Sequence, residues 1–287
     1  MSVSSAPLSS EQDARRKIAR QLGQLRRDAG LTGYELASRC GWSQSKVSRI
    51  EAGRTRPSDR DLAEWCQACD RPEDAADLIE AARTADSMYR EWKQIFRHGV
   101  SAGQKNVDLY QAANRIRYYV SNMVPGLLQT REYAEALLST IADFTKVPND
   151  APRAARARIE RSKVLYDRSK TFSFVLEEAV LYHRYGSVDV MLDQLDRLRM
   201  AASLRNVSLG IIPMPSVRNM WTLEGFVFFG DSRVNVETLT AWVAITRPSE
   251  LSMYAEAFDE LHRMAVYGAD ARHLIAKAEE AHTARSA

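Results

Sequence analysis

The sequence has few cysteines and no long apolar run. Three cysteines among 287 residues are typical of a reducing compartment and give no disulfide framework. No stretch approaches the ~18 apolar residues that a transmembrane helix needs, and segment 1–10 lacks the apolar core of a signal peptide. We therefore expect a cytoplasmic protein without membrane contact, whose apolar content of 45% is enough to form a core.

The chain also lacks the residue patterns of common enzymes. It has no phosphate-binding glycine-rich loop, no nucleophile elbow and no histidines at metal-ligand spacing. Cys66 and Cys69 form a CxxC, but no second CxxC or nearby histidine completes a metal site. The neighbouring carboxylates Glu177 and Glu178 would point to opposite faces of a strand. We expect no catalytic residue, no metal and no cofactor.

The net charge of +3 is small, but all of it lies in the N-terminal quarter of the chain. Residues 1–70 contain 12 Lys and Arg against 9 Asp and Glu, and the remaining residues contain 28 of each. A surface that binds phosphates concentrates positive charge in this way. The distribution is a weak indication of nucleic-acid binding near the N-terminus.

Residues 13–71 show short amphipathic helices separated by tight turns. Thr32 and Glu35 are spaced as a capping box, and Ser43 is placed to cap the next helix. Two short helices joined by a glycine-containing turn can lay the second one, residues 43–52, in the major groove of DNA. We therefore predict a helix-turn-helix DNA-binding domain.

The exposed face of this second helix carries side chains that can read base edges. Gln bonds adenine and Arg bonds guanine with two hydrogen bonds each. The predicted base-reading residues are Gln44, Ser45 and Arg49. Contacts to the DNA backbone, which set register and salt-dependent affinity, are predicted for Thr32, Ser43, Lys46, Ser48, Arg54, Thr55 and Arg56. The alternative is a helical hairpin whose polar face is only solvated.

Segment 31–57, LTGYELASRCGWSQSKVSRIEAGRTRP, resembles the XRE family of phage-repressor-like regulators. The resemblance implies a mainly α, lambda-repressor-like bundle in which Gln44, Ser45 and Arg49 face bases while Arg54 and Arg56 lie near the backbone. Many members of that family use a Gln or Thr at the position of Gly33 to contact phosphate. Gly33 has no side chain, so only its backbone N–H could serve here.

Residues 106–287 mix helix and strand patterns and predict an α+β domain with a small, mostly antiparallel sheet. Strands are expected at 115–120, 172–176, 207–212, 225–229 and 234–244. Segments such as VPGLLQTREYAEALL (124–138) and FVLEEAVLYHRYG (174–186) resemble an antitoxin-like, WhiJ-like actinobacterial class of XRE regulators with a C-terminal domain of unknown function. The resemblance implies a small BldB-like partner protein.

The two ends of the N-terminal domain are assigned from composition and periodicity. Residues 1–12 are predicted to be a disordered leader, and 72–105 a connecting helix and hinge. One long helix at about 72–98 follows from an apolar stripe, Leu78, Ala82, Ala85, Tyr89, Trp92 and Phe96. This stripe is either a coiled-coil dimer seam or a face packed on the second domain.

Aromatic runs in the second domain either line a pocket or form the core of the sheet. The pocket candidates are Arg117, Tyr118, Arg131, Tyr133, Trp221, Phe226, Phe228 and Trp242. The favoured function is a homodimeric transcriptional regulator that binds a double-stranded DNA operator in the nucleoid. The alternatives are an antitoxin-like protein that neutralises a small partner and binds DNA for autoregulation, and a sensor of a small molecule or peptide.

Overall fold

The computed structural model describes residues 10–84, 89–91, 95–104 and 107–284. The chain divides into two compact units. The first comprises Met1–Met88 and Thr246–Glu250, and the second comprises Tyr89–Ile245 and Leu251–Ala287. The first helix begins at Ser10, so the predicted boundary of a leader at residue 12 is wrong for residues 10–12, and residues 1–9 lie outside the described residues. No helix in the described ranges is long and apolar enough to cross a membrane.

The first unit is helical, and its turns follow from capping residues. Its helices are α1 (Ser10–Asp28), α2 (Gly33–Cys40), α3 (Gln44–Glu51), α4 (Asp59–Ala68) and α5 (Ala75–Thr84). Thr32 and Glu35 form the predicted capping box of α2, and Ser43 caps α3. Gly41 ends α2 with a left-handed backbone (φ 68°), which glycine adopts without strain. The predicted helix-turn-helix bundle is confirmed.

The apolar sides of these helices meet in one core. Trp65 of α4 is completely buried, and its indole N–H donates to the carbonyl of Leu22 in α1 (3.2 Å). Val47 and Ile50 of α3 lie in the same core at 1% exposure each. Since one side of α3 is fixed in this way, its opposite side is turned to solvent.

The long helix predicted from the stripe between Leu78 and Phe96 is not formed. Helix α5 ends at Thr84, and strand β1 (Tyr89–Glu91) follows within the stripe. Ala85 and Trp92 lie outside the described residues. A heptad seam requires a continuous helix, so the prediction of a helix over 72–98 was wrong.

The segment predicted to be a hinge, 99–105, is packed structure up to residue 104. Val100–Gln104 is a 3₁₀ helix in which Val100 is fully buried. It contributes to a small apolar cluster with Phe96, Leu138 and Ala151. Burial of this backbone argues against a flexible hinge there, and Lys105 lies outside the described residues.

The second unit combines helices with a sheet. Its helices are α6 (Val107–Ala112), α7 (Arg131–Thr145), α8 (Ala151–Ser162), α9 (Val188–Ala202), α10 (Pro248–Met264) and α11 (Gly268–Ala284). Strand β1 is followed by β2 (Arg115–Val120), β3 (Thr171–Glu177), β4 (Val207–Ile212), β5 (Phe226–Phe229), β6 (Arg233–Glu237) and β7 (Ala241–Ile245).

The described residues of this unit form a seven-stranded sheet in the order β1-β7-β6-β5-β2-β3-β4. Strand β3 pairs in parallel with β2 and β4, and the other neighbouring pairs are antiparallel. The predicted α+β class with a mostly antiparallel sheet is confirmed. The single strand predicted at 234–244 is instead a hairpin, because Thr238 accepts a hydrogen bond from the N–H of Ala241 and turns the chain. Strand β1 was not predicted.

The two faces of the sheet support different cores. Tyr118 of β2 and Phe174 of β3 stack on one face, beneath α7, α9 and α11. Their neighbours Tyr119 and Val175 lie on the other face, beneath α10. This alternation is the period of two that a strand imposes on its side chains, and it decides which predicted pocket residues can meet.

Candidate nucleic-acid interface

The outward side of α3 presents polar side chains around its N-terminal half. The Ser43 hydroxyl accepts a hydrogen bond from the Lys46 N–H (3.3 Å) and so caps the N-terminus of α3. The predicted base-reading residues are all exposed: Gln44, Ser45 and Arg49. Ser45 and Arg49 are four residues apart and therefore share one helix face.

Several predicted contact residues are free to bind a ligand. No hydrogen bond or ion pair within the described part of the chain engages the side chains of Gln44, Ser48, Arg49, Arg54 and Thr55, and all five are exposed. The backbone N–H groups of Arg54 and Thr55 both donate to the carbonyl of Arg49 (2.9 and 3.2 Å). These bonds fix the chain directly after the helix, so that the two side chains leave from a defined place.

Lys46, predicted to contact the DNA backbone, is engaged within the protein. Its Nζ donates to Asp61 Oδ1 at 2.5 Å and lies 3.8 Å from the centre of the Trp42 ring. Burial alone would raise the pKa of Asp61, but the hydrogen bonds from Lys46 and Ser58 outweigh it and lower the pKa. Lys46 therefore ties α3 to α4 and can reach a phosphate only by giving up this bond.

Three further predicted backbone contacts also have partners in the protein. Arg56 donates from Nη2 to the carbonyl of Ala82 (2.9 Å). The Thr32 hydroxyl donates to Glu35 (2.8 Å) within the capping box, and the hydroxyls of Ser43 and Ser45 lie 3.0 Å apart. These three side chains therefore stabilise the protein itself. At Thr32 and Ser43, the backbone N–H groups at the N-termini of α2 and α3 can still contact phosphate.

An ion pair that sequence reasoning missed holds α3 in place. Arg26 of α1 bonds Glu51 at the end of α3 (Nε–Oε1 2.7 Å) and also donates to the carbonyl of Leu31 (2.6 Å). The two charged partners are 25 residues apart, so no short-range pattern in the sequence predicts the pair. One arginine thus joins α1, the turn before α2 and α3.

Gly33 sits at the first turn of α2 with room for a side chain. A Cβ built on it would lie 3.9 Å from Val47 Cγ1, which is ordinary van der Waals contact, and nothing else is closer. The absence of a phosphate-binding side chain here is therefore a property of the sequence and is not imposed by packing.

The predicted pocket residues of the second unit do not converge. Tyr118 and Tyr133 belong to the core on one sheet face, whereas Phe226 and Phe228 belong to the core on the other. Arg117 lies with the second group, its guanidinium 4.0 Å from the Phe228 ring. The remaining three are dispersed: Arg131 is exposed on α7, Trp221 is 70% exposed between β4 and β5, and Trp242 is buried on β7.

The acid–base and thiol groups have structural partners. Glu177 binds Arg218 (2.7 Å) and accepts a hydrogen bond from the Tyr119 hydroxyl, whereas Glu178 accepts the N–H of Met214. The two carboxylates thus serve different contacts, although Glu178 begins a 3₁₀ helix and does not continue the strand as predicted. Burial raises the pKa of the Cys66 thiol to about 12. In the part of the chain that the structure describes, no three potential ligands are grouped to hold a metal.

Comparison with known proteins gives two family matches. A model described as "Helix-turn-helix domain" matches residues 17–79, and one described as "Domain of unknown function (DUF5753)" matches residues 104–277. The chain is 39% identical over 56 residues, 20% of its own length and 73% of the relative's, to "Uncharacterized HTH-type transcriptional regulator y4dJ" of Sinorhizobium fredii.

One solved structure is also similar, at a low level. Its title reads "Structure of TrmBL2, an archaeal chromatin protein, shows a novel mode of DNA binding". The match covers 83% of this chain and 88% of that one, with 14% sequence identity and a TM-score of 0.33.

Proposed function

This chain belongs to the family described as "Domain of unknown function (DUF5753)" and carries an N-terminal helix-turn-helix domain, and from this premise we propose that it is a sequence-specific transcriptional regulator that reads its operator with Gln44, Ser45 and Arg49. DNA binding itself follows from the domain and from its HTH-type relative. The assignment of particular residues rests on the geometry of α3.

The observation that carries the proposal is the contrast between the two sides of α3. Val47 and Ile50 are buried in the core, while Gln44 and Arg49 project into solvent without any partner in the described residues. An exposed Gln and an exposed Arg match the donor and acceptor patterns of adenine and guanine in the major groove. An exposed helix with only a solvating role would not require its fixation by Arg26–Glu51 and Lys46–Asp61.

Arg54 and Thr55 are the strongest candidates for contacts to the DNA backbone. They follow α3 directly, are exposed and have no side-chain partner in the described ranges. Ser48 is a further candidate for the same reason. Lys46 and Arg56 contribute less in this proposal, because each would have to leave Asp61 or the Ala82 carbonyl.

We propose that two copies bind one operator with two-fold symmetry, in the cytoplasm at the nucleoid. A single α3 of eight residues covers only a few base pairs, and helix-turn-helix proteins commonly extend the site by pairing two half-sites about one DNA turn apart. Dimerisation is assigned to the second unit, together with binding of a partner or effector that changes operator occupancy.

The antitoxin-like alternative, with a small BldB-like partner, is supported by exposed apolar side chains in one segment of the second unit. Between β4 and β5, Val217 is 90% exposed and Trp221 is 70% exposed. Arg218, between them, is fixed by its two bonds to Glu177. A Val217→Ser/Trp221→Ser variant that no longer binds a co-expressed BldB-like protein, while still binding DNA, would support this alternative.

Selection of bound sequences from random duplex DNA tests the proposed function. The full chain is expected to enrich one motif repeated with inverted symmetry, with half-sites about 10 base pairs apart. Enrichment of an unrepeated motif would refute the dimeric arrangement, and recovery of random sequences at equal affinity would refute sequence-specific regulation.

A further inference from the structure

The second unit contains two neighbouring arginines that no function so far explains. Arg158 and Arg161 lie three residues apart on α8 and therefore on one helix face. Both are partly buried. Gly126 lies against the two of them: a Cβ built on this glycine would be 3.2 Å from Arg161 Nη2 and 3.6 Å from Arg158 Nε. The two arginine side chains thus pack side by side against the backbone of Gly126.

Among the described residues, Arg158 hydrogen-bonds to neutral groups. Its Nε donates to Gln104 Oε1 (3.2 Å) and its Nη1 to Gln129 Oε1 (2.7 Å). The amide of Gln129 is itself oriented by donating to the carbonyl of Val124 (2.7 Å), so its oxygen is held toward the arginine. These contacts position the guanidinium, and no carboxylate in the described residues forms an ion pair with it.

Arg161 has still fewer partners. Its guanidinium carbon lies 5.1 Å from the centre of the Tyr110 ring, and its Nε is buried without a hydrogen-bond acceptor. Within the described ranges, its two terminal nitrogens and Arg158 Nη2 also lack hydrogen-bond partners, and none of the three is fully enclosed. The hydroxyls of Tyr110 and Tyr118 bond each other nearby. Five N–H donors on each arginine therefore meet very few acceptors.

The electrostatics of this pair favour an added negative charge. Burial and the neighbouring charge of Arg161 lower the pKa of Arg158 to about 10, against the attraction of Glu237, which forms no ion pair with it in the described residues. Placing two like charges together at a partly desolvated position costs free energy, and an anion bound between them offsets that cost. Arginine also presents paired N–H donors that fit the two oxygens of a carboxylate or phosphate.

We propose that Arg158 and Arg161, which pack side by side against Gly126, bind the oxyanion of a small ligand that carries a carboxylate or a phosphate. The site lies on the sheet face that carries Tyr118 and Tyr133, and none of its three residues is among the pocket candidates predicted from the sequence. That such a ligand controls DNA binding rests on the proposed function, whereas the binding of the anion does not.

Titration of the full chain with inorganic phosphate and, separately, with succinate tests this site. Each titration is followed by calorimetry at an ionic strength held constant with sodium chloride. Arg161→Gln removes a charge but no hydrogen bond to any residue that the structure describes, so we expect it to fold and to bind the preferred anion about tenfold or more weakly. Arg156→Gln, an exposed position on the same helix, is the matched control and should bind as the unchanged protein does.

A second variant separates charge from shape. Gly126→Ala keeps both arginines but places a methyl group 3.2 Å from Arg161 Nη2, and it should also weaken anion binding. Tighter binding of phosphate than of succinate would assign a phosphorylated ligand, and the reverse a carboxylate. Anion binding that Arg161→Gln leaves unchanged, or that Arg156→Gln weakens equally, would overturn the site.

The same variants distinguish this inference from the proposed function. DNA affinity measured without added phosphate or succinate should be unchanged in Arg161→Gln. Loss of anion binding with DNA binding intact is the expected result for this variant. A chain that binds the anion through Arg161 but selects no DNA sequence would refute the regulator and leave the anion site standing.

Discussion

Arg26 and Glu51 join α1 to the end of α3 through two hydrogen bonds, Nε–Oε1 at 2.7 Å and Nη2–Oε2 at 3.2 Å. Both side chains are mostly buried. The pair fixes the end of α3 opposite to the N-terminus that carries Gln44. It therefore links the stability of the bundle to the placement of the base-reading side chains.

Removing this pair should weaken folding and DNA binding together. We expect Arg26→Ala to lower the free energy of unfolding by about 1–3 kcal/mol, because Glu51 is left partly buried without its partner. DNA affinity should fall while the preferred sequence stays the same, since no base contact is removed. Urea denaturation and binding to the selected operator measure the two effects. Arg27→Ala, an exposed neighbour that bonds only Gln24, should change stability little; an equal loss there would contradict the role of Arg26.

The Lys46–Asp61 bond predicts a dependence of stability on pH. The folded-state pKa of Asp61 is lowered, so its contribution is present above its unfolded pKa of about 3.9 and is lost as the pH falls through the folded value. Asp61→Asn has no carboxylate to titrate and lacks this pH-dependent contribution to stability. Its free energy of unfolding should therefore decline less than that of the unchanged protein between pH 5 and the acid transition. Parallel curves for the two proteins would show that the bond adds no stability.

Much of the fold could be predicted because its signals are local. The capping box of Thr32 and Glu35 and the apolar and aromatic runs of β2 and β3 each lie within a few residues, and each was found in the structure as expected. The long helix predicted from the stripe between Leu78 and Phe96 was wrong, because apolar periodicity does not show that a distant strand pairs with part of the segment. Strand β1 within it pairs with β7, some 150 residues further along the chain.

The candidate DNA interface could be predicted only in part for the same reason. Burial of Val47 and Ile50 follows from helix periodicity and correctly leaves Gln44 and Arg49 outside. The bond between Lys46 and Asp61 could not be predicted from helix periodicity, because Asp61 is 15 residues away on another helix. Arg158 and Arg161 gave no signal either, since an unpaired charge is recognised only when its surroundings are known.

Arg54 should contribute affinity without sequence preference. Arg54→Gln is expected to weaken binding to all duplex sequences by a similar factor, because a phosphate contact carries no base information. The slope of log K against log salt should become shallower by about 1, as one fewer counter-ion is released. Filter binding or fluorescence anisotropy at several salt concentrations measures both. A change in the selected motif would instead place Arg54 among the base readers.

Gly33 offers a gain-of-contact experiment. Gly33→Gln should fit, since the position has only ordinary contact with Val47, and a side-chain amide there can donate to phosphate. We expect tighter binding to all sequences with an unchanged salt slope, because a neutral amide releases no counter-ion. Gly33→Ala is the matched control for the helix propensity gained on replacing glycine. Equal affinities of the Gln and Ala variants would place this turn too far from the DNA backbone.

Selection from random duplex DNA with the Arg49→Ala variant tests most directly whether α3 reads bases. We expect the variant to fold as the unchanged protein does and to lose preference at one guanine position per half-site, a loss of about 1–3 kcal/mol of discrimination, while the positions read by Gln44 remain. Arg27→Ala should select the original motif. An unaltered motif from Arg49→Ala would contradict base reading by α3.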